Sequence, residues 1–305
     1  MPIYTVQHIT IYRYRQPVAF GAHRMMFRPR ESHDQHVVDS ELIIAPEPGS
    51  LQWNRDAFGN LIGTAKFVGR ASELRFESTV RVAHSPSHPG GWGIAEHARK
   101  LPVAFTPDEL PHLLPYMERA ADYAAVEEWA RGFFDEHRAT STLECVSAIA
   151  RAIARGFVYV RRPEPGIQEP SQTLQARSGT CRDFTVLMMA AVRGLGLPAR
   201  FVSGYLYVPS RDREDIRGGG ATHAWVQVYL PGAGWVDFDP TNATVGNAGL
   251  IRVAVAGQPD ATTPLSGSFT GFRSDDLGMH VTVKVTREDA QDEAERADAP
   301  AWLRA

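Results

Sequence analysis

Cys181 lies in the stretch SGTCRDF (178–184), behind a glycine and a threonine and ahead of the apolar run DFTVLMMAAVRGLG. A cysteine so placed is a buried small hydrophobe, half of a redox pair, a metal ligand or a nucleophile. The reactive form is the thiolate, and a helix N-terminus favours it, because unpaired backbone N–H groups and the helix dipole stabilise negative charge. Gly179 permits a sharp approach of the backbone. Phe184, Leu187, Met188, Ala191 and Leu195 give the following helix an apolar face that a core can clamp. The pattern predicts a sulfur fixed at a helix start and facing a cleft.

A thiolate nucleophile needs a base, and the base needs a group to orient it. His223 opens the strand-like run THAWVQVYL, directly after the glycine-rich RDREDIRGGG. Strand alternation puts His223, Trp225, Gln227 and Tyr229 on one face. In the next run, GWVDFDP, the residues Trp235, Asp237 and Asp239 share a face. The tight-turn composition Pro231-Gly232-Ala233-Gly234 joins the two runs. A hairpin then brings an aspartate beside His223, where a carboxylate fixes the tautomer and stabilises the imidazolium. Alternation alone does not choose between the two aspartates.

The other readings of the thiol have less behind them. Cys145 is the only second cysteine, 36 positions away, and two cysteines make no disulfide scaffold. Cys145 sits beside the apolar stripe Val146, Ile149, Ile153 and Phe157 and reads as a buried structural thiol. His33-x-x-His36 and His84-x3-His88 have possible ligand spacing, but a zinc site needs three or four converging ligands. No metal and no cofactor is expected.

The elements that must position these residues change character along the chain. Residues 1–85 read as an all-β module: ITIYRYR, VVDSELIIAP, LIGTAKFVG and ELRFESTVRVAH are rich in β-branched and aromatic residues, and Asp56-Ala57-Phe58-Gly59-Asn60 is a turn. Residues 86–118 carry Pro86, Pro89, Pro102, Pro107, Pro111 and Pro115 with Gly90-Gly91, a density that forbids long helices and central strands. This is a linker or strap. From 119 to 285 helical periods alternate with strands, beginning with ADYAAVEEWARGFFDEH and the capping pattern Ser141-x-x-Glu144. Residues 286–305 form an acidic tail expected to be mobile.

The net charge of -3 gives no reason to expect nucleic acid or an anionic membrane as a partner. The N-terminus lacks the basic-then-apolar order of a signal peptide, and no apolar stretch approaches the ~20 residues that span a bilayer. The expected compartment is the cytoplasm. The sequence leaves the oligomeric state open.

Three separated segments together resemble a known family: GTCRDFTVLMMAAVRGLGLPARFVSGYL (179–206), THAWVQVYLPGAGWVDFDPTN (222–242), and YTVQHITIYRYRQPV with DAFGN near the N-terminus. They are similar to the bacterial transglutaminase-like proteins, often described as candidate cysteine proteases, over roughly residues 1–285. The resemblance implies an α+β fold, with a papain-like or transglutaminase-like core behind an N-terminal all-β module. It also implies a Cys181, His223 and Asp239 triad, the aspartate taken from its place in Phe238-Asp239-Pro240-Thr241-Asn242. The residue two before that aspartate is usually small in the family. Here it is Asp237, which either competes for His223, raises its basicity or faces solvent.

For the oxyanion, the backbone N–H of Cys181 is a natural donor. Gln175 stands six positions before Cys181, the spacing at which papain-like proteases carry a donor glutamine, with Gln172 and Tyr159 as alternatives. Arg182 and Asp183 either line the cleft or pair on the surface. Trp225 either walls the site beside His223 or packs in the core, and Tyr205 likewise. The expected function is acyl transfer on an amide or peptide through a thioester, resolved by water. An amine-transferring transglutaminase or peptide ligase is the alternative, and a noncatalytic binding module a further one. The expected partner is a peptide or protein substrate, with RDREDIRGGG as a flap over the cleft.

Overall fold

The alternating N-terminal segments form the strands β1 (Ile3–Phe20), β2 (His23–Met25), β3 (Gln35–Ala45), β4 (Ser50–Arg55), β5 (Leu61–Lys66) and β6 (Arg70–His84) in a computed structural model. That structure describes residues 1–86, 92–119, 123–134, 141–160, 166–208 and 222–288. In β6 every second residue from Leu74 to His84 is buried, so one face of the pleat meets a core and the other meets solvent. β1 runs antiparallel to β6, and β3 flanks β6 on its far side. β5 pairs with both β2 and β4 in a second sheet, and the two sheets enclose Tyr14, Phe20, Met25, Phe27, Leu74 and Phe76.

The proline-rich strap itself carries α1 (Leu110–Leu113), and α2 (Ala124–Arg131) and α3 (Thr142–Gly156) follow it. Ser141 caps α3 by accepting the Glu144 N–H at 3.1 Å, as the sequence pattern predicts. Cys145 is fully buried within it. β7 (Val158–Tyr159) and α4 (Pro170–Ala176) lead to β8 (Ser178–Gly179), which pairs in parallel with β7. α5 (Cys181–Gly194) then buries Phe184, Leu187, Met188, Ala191 and Val192. A lone helix of this length is marginal in water. Burying each large apolar side chain contributes about 1.5–3 kcal/mol, so packing holds α5 in place.

α5 lies on a sheet built from β9 (Ala199–Leu206), β10 (His223–Leu230), β11 (Gly234–Asp239), β12 (Thr244–Val245) and β13 (Leu250–Ala256), in the spatial order β12-β11-β10-β9-β13. β10 and β11 form the hairpin expected from the Pro-Gly-Ala-Gly turn, with Gly232 at φ 85° and Gly234 at φ 72°. Only glycine adopts those values without strain. The strap is not a free linker. Trp92, Ile94, Val103 and Phe105 pack on the core under α5, and the Ala95 N–H donates to the Pro231 carbonyl at 2.8 Å.

The last strands return to the N-terminal module. β14 (Leu265–Ser266) pairs with β2, and both β15 (Phe269–Thr270) and β16 (Asp276–Arg287) pair with β1. The sequence reading placed this segment with the core. Eighteen-residue β1 offers a second edge beyond the one that β6 occupies, and pairing there satisfies its backbone groups. No helix among the described residues is long and apolar enough to cross a membrane. His88, Gly90-Gly91, the RDREDIRGGG flap and the tail from 289 onward lie outside the described residues.

A buried polar junction joins the module to the core sheet. Arg252 on β13 donates to Asp34 and Asp237, and its backbone N–H donates to Gln35 Oε1 at 2.9 Å. The Gln35 amide donates to the carbonyls of Arg30 and Arg252. In the DAFGN turn, Asp56 Oδ1 accepts the N–H groups of Phe58 and Asn60, and Asn60 then bonds both the N–H and the carbonyl of Val255. Tyr205 packs here under the module, with its hydroxyl 2.9 Å from His8 Nδ1, rather than in the cleft. His84 is tied to the Leu250 carbonyl and His36 to Glu31.

Breaking a buried ion cluster from one side strands the other charges. Arg252→Met is therefore expected to lower stability by about 3–5 kcal/mol, read as a fall in the urea midpoint. The Asp34 carboxyl is held down to about 2, burial opposing and the Arg252 hydrogen bond and charge prevailing. Its contribution is complete above an unfolded-state pKa of about 4. It is lost as the pH falls from there through about 2. Asp34→Asn is expected to flatten that acid limb in pH-dependent denaturation.

Candidate active site

The start of α5 is fixed by reciprocal capping. The Thr180 N–H donates to Asp183 Oδ2 at 2.7 Å, the Thr180 hydroxyl donates to the same oxygen at 2.9 Å, and the Asp183 N–H donates to Thr180 Oγ1 at 3.4 Å. Asp183 Oδ1 accepts the Gln168 N–H at 2.6 Å, so the same side chain pins the preceding loop. Asp183 is fully buried. It neither lines the cleft nor pairs on the surface, because the N-terminal N–H groups of a helix need an acceptor. A Cβ on Gly179 would sit 2.8 Å from Asp183 Cβ, which explains why glycine stands there. Cys181 is thus the first residue of a capped helix, with its thiol nearly covered.

The hairpin supplies the imidazole and its partner. His223 Nε2 lies 2.9 Å from Asp239 Oδ2, and both side chains are removed from solvent. Asp239 also accepts the Thr241 N–H and the Asn242 side-chain amide, each at 2.8 Å. Val226 stands opposite Phe238 and Gln227 opposite Asp237. Continuing that register, His223 reaches Asp239 along a diagonal, and Trp225 reaches Asp237 along the next one. The Trp225 indole N–H donates to Asp237 Oδ1 at 2.6 Å, and Arg252 Nη1 donates to Asp237 Oδ2 at 3.3 Å. Asp237 therefore faces neither solvent nor His223.

Three buried ionisable groups share one environment. Burial disfavours the Cys181 thiolate, but the hydrogen bond and charge of His223, the Ala224 N–H and the charge of Arg182 outweigh it and bring the thiol below its ordinary value. Burial also disfavours the His223 imidazolium, yet Asp239 and then Cys181 raise it above the usual histidine range. Asp239 is held low, burial opposing and His223, Asn242 and Thr241 prevailing. Both shifts run toward a thiolate–imidazolium pair. Because Nε2 is engaged by Asp239, the ring nitrogen left to face Cys181 is Nδ1.

The remaining expected residues are placed unevenly. Trp225 is both core and wall: fully buried, its ring stacks on His223 with centroids 6.1 Å apart at 26°. Arg182 is partly exposed beside the thiol. Tyr159 pairs with Gly179 and sets its ring edge-on to Phe184 at 6.4 Å, so it frames the helix start. Gln175 and Gln172 are exposed on α4, and neither hydrogen-bonds Cys181 or His223. Sequence reasoning missed the supports: Thr241 and Asn242 on Asp239, Ala224 on the thiol, and Arg252 on Asp237. The Asp-Pro-Thr-Asn run did carry a signal, since an aspartate commonly binds the N–H two residues on.

Residues 128–240 match the transglutaminase-like superfamily, and residues 4–83 match the bacterial transglutaminase-like N-terminal region. An uncharacterized protein of Mycobacterium tuberculosis is 32% identical over 283 residues, covering 87% of this chain and 86% of its own. An uncharacterized protein of Mycobacterium leprae is 27% identical over 286 residues, covering 92% and 98%. Among solved structures, a candidate cysteine protease from Cytophaga hutchinsonii superposes with a TM-score of 0.71 at 19% identity, over 95% of this chain and 91% of that one. At that identity the likeness speaks for the fold.

A depressed thiol stays ionised where an ordinary one is protonated. Iodoacetamide is expected to alkylate Cys181 near pH 6 faster than an ordinary free thiol with a pKa of about 8.5. Peptide mass spectrometry against pH would read this. Cys145, which burial raises to about 11, should stay unlabelled. His223→Ala should shift the labelling limb of Cys181 upward. Labelling no faster than in the denatured chain would exclude the ion pair.

Proposed function

Because the chain belongs to the transglutaminase-like superfamily, with the bacterial transglutaminase-like N-terminal region ahead of its core, we propose that it is a thiol enzyme that cleaves an amide or peptide bond through an acyl-thioester on Cys181. The observation that carries this reading is a thiol at a capped helix start, coupled to a buried histidine whose far nitrogen is held by Asp239.

The chemistry follows from the geometry. The Cys181 thiolate attacks the amide carbonyl carbon, and the carbonyl π electrons move onto oxygen. The unpaired N–H groups of the first turn of α5, that of Cys181 among them, stabilise the oxyanion. As the tetrahedral intermediate collapses the C–N bond breaks, and the imidazolium gives its Nδ1 proton to the departing amine. Neutral His223 then takes a proton from water, hydroxide attacks the thioester, and the C–S bond breaks to return the thiolate. Asp239 keeps the ring oriented and stabilises its charge throughout. Water needs no binding site of its own, so hydrolysis is the second half-reaction we propose. The N-terminal module, strap and core are read as one working unit, with the module supporting the sheet behind Trp225.

Screening peptide and amide libraries with wild type against Cys181→Ala is expected to reveal turnover that the variant lacks. On a hit, Asp239→Asn should lose on the order of 10⁴ in kcat, the scale at which a misoriented histidine fails, and Asp237→Asn far less. The opposite ranking would overturn the assignment of the orienting aspartate. Adding a labelled primary amine separates hydrolysis from transfer: incorporation outpacing free acid release would make the enzyme a transglutaminase or ligase.

A further inference from the structure

A cavity of about 350 Å³ lies between residues 30–34 of the N-terminal module, Trp92 of the strap and the β10–β11 hairpin of the core sheet. Its lining includes Arg30, Arg200 and Arg252, with Trp92 and Trp235 as aromatic walls. The three arginines differ in one respect. Arg252 is answered by two carboxylates, Asp34 and Asp237. Arg200 donates from Nε to Gln227 Oε1 at 2.9 Å and lies over the Trp235 ring at 4.1 Å. Arg30 donates from Nη1 to the Phe58 carbonyl and to Asn60 Oδ1. Among the described residues neither Arg30 nor Arg200 has a carboxylate in salt-bridge contact, and the terminal nitrogens of Arg200 have no hydrogen-bond partner. Three carboxylates also line the cavity, and each has a partner other than Arg30 and Arg200: Asp34 and Asp237 pair with Arg252, and Glu31 accepts from His36 and the Val37 N–H.

A partly buried guanidinium without an anion is costly, and several facing one cavity repel each other. Burial first, and then the neighbouring arginines, bring Arg200 down to about 10 and lower Arg30 as well. Stacking on Trp235 and the bond to Gln227 hold Arg200 with its fork free, which is how arginine is organised for oxyanions. The volume suits a small molecule. We infer that this cavity is a binding site for a small ligand bearing a carboxylate or phosphate group, whose oxyanion is held between Arg30 and Arg200. The site is separate from Cys181. One wall is Asp237, whose other oxygen holds the indole stacked on His223, so an occupant sits one hydrogen bond away from the support of the imidazole.

Isothermal titration calorimetry on the full chain, at ionic strength held constant with KCl, tests this directly and needs no turnover. The probes are succinate, inorganic phosphate and an N-acetyl-glutamyl peptide amide, with neutral succinamide as control. At least one anion is expected to bind saturably at one site, and Arg200→Met and Arg30→Met should each weaken it by about tenfold or more. Arg200→Lys keeps the charge without the fork. It should weaken binding severalfold, and it carries the test if the methionine variant does not fold. Preference for the peptide assigns the site to an acidic side chain of substrate, and preference for succinate or phosphate to a free anion. Saturation by none of the three anions, unchanged affinity in the folded arginine variants, or succinamide binding as well as succinate would each overturn the proposal.

Discussion

Placing a thiol, an imidazole and a carboxyl group together out of water is the constraint that shapes this molecule. Burial disfavours each charged form, and the neighbours oppose it: His223, the Ala224 N–H and Arg182 for Cys181, Asp239 and Cys181 for His223, and His223, Asn242 and the Thr241 N–H for Asp239. Such compensation works at hydrogen-bond distances, so the helix start and the hairpin must be held in fixed relation. The Thr180–Asp183 cap fixes one, and the β9–β10–β11 ladder fixes the other. α5 lies across that ladder and clamps the two parts into one core.

The support extends to the opposite face of the same sheet. A Cβ on Gly204 would approach the Trp225 ring at 2.7 Å, so the ring lies close over the glycine that pairs with His223. Phe58 packs with Trp225, Val202, Leu250 and Val255, and Asn60 ties the same turn to the backbone of β13. The DAFGN turn thereby braces the sheet beneath the imidazole from a segment that is distant in sequence. Arg252 and Asp34 do the same for Asp237. The N-terminal module is continuous with the machinery, and β16 along β1 closes it.

The two aspartates of the hairpin show how little residue type decides. Asp237 and Asp239 have the same chemistry, share a strand face and stand two positions apart. One orients a histidine, and the other receives an indole N–H and a guanidinium. The register of β10 on β11 assigns these roles, and a slip of two positions in one direction would set Asp237 on the diagonal to His223 and leave Trp225 on the diagonal to Trp235 instead. Asp183 teaches the same lesson. Its position directly after Cys181 and Arg182 suggests a cleft residue or a surface pair, whereas its oxygens are consumed by Thr180 and Gln168.

By itself the sequence determined the helix start at Cys181, the Ser141 cap, the β10–β11 turn, the alternating N-terminal strands and the family to which they belong. These are properties of residues a few positions apart, governed by capping, turn chemistry and period, and they survive in any context that lets the segment fold. Only the tertiary structure decided that Asp183 turns inward, that Asp237 belongs to Trp225 and Arg252, that residues 265–287 rejoin the first module, and that Arg30 and Arg200 converge on one cavity. Those outcomes join residues up to hundreds of positions apart, as with Arg252 and Asp34 at a separation of 218. No local pattern encodes such pairs, because they follow from how the sheets stack and which buried charges then find each other.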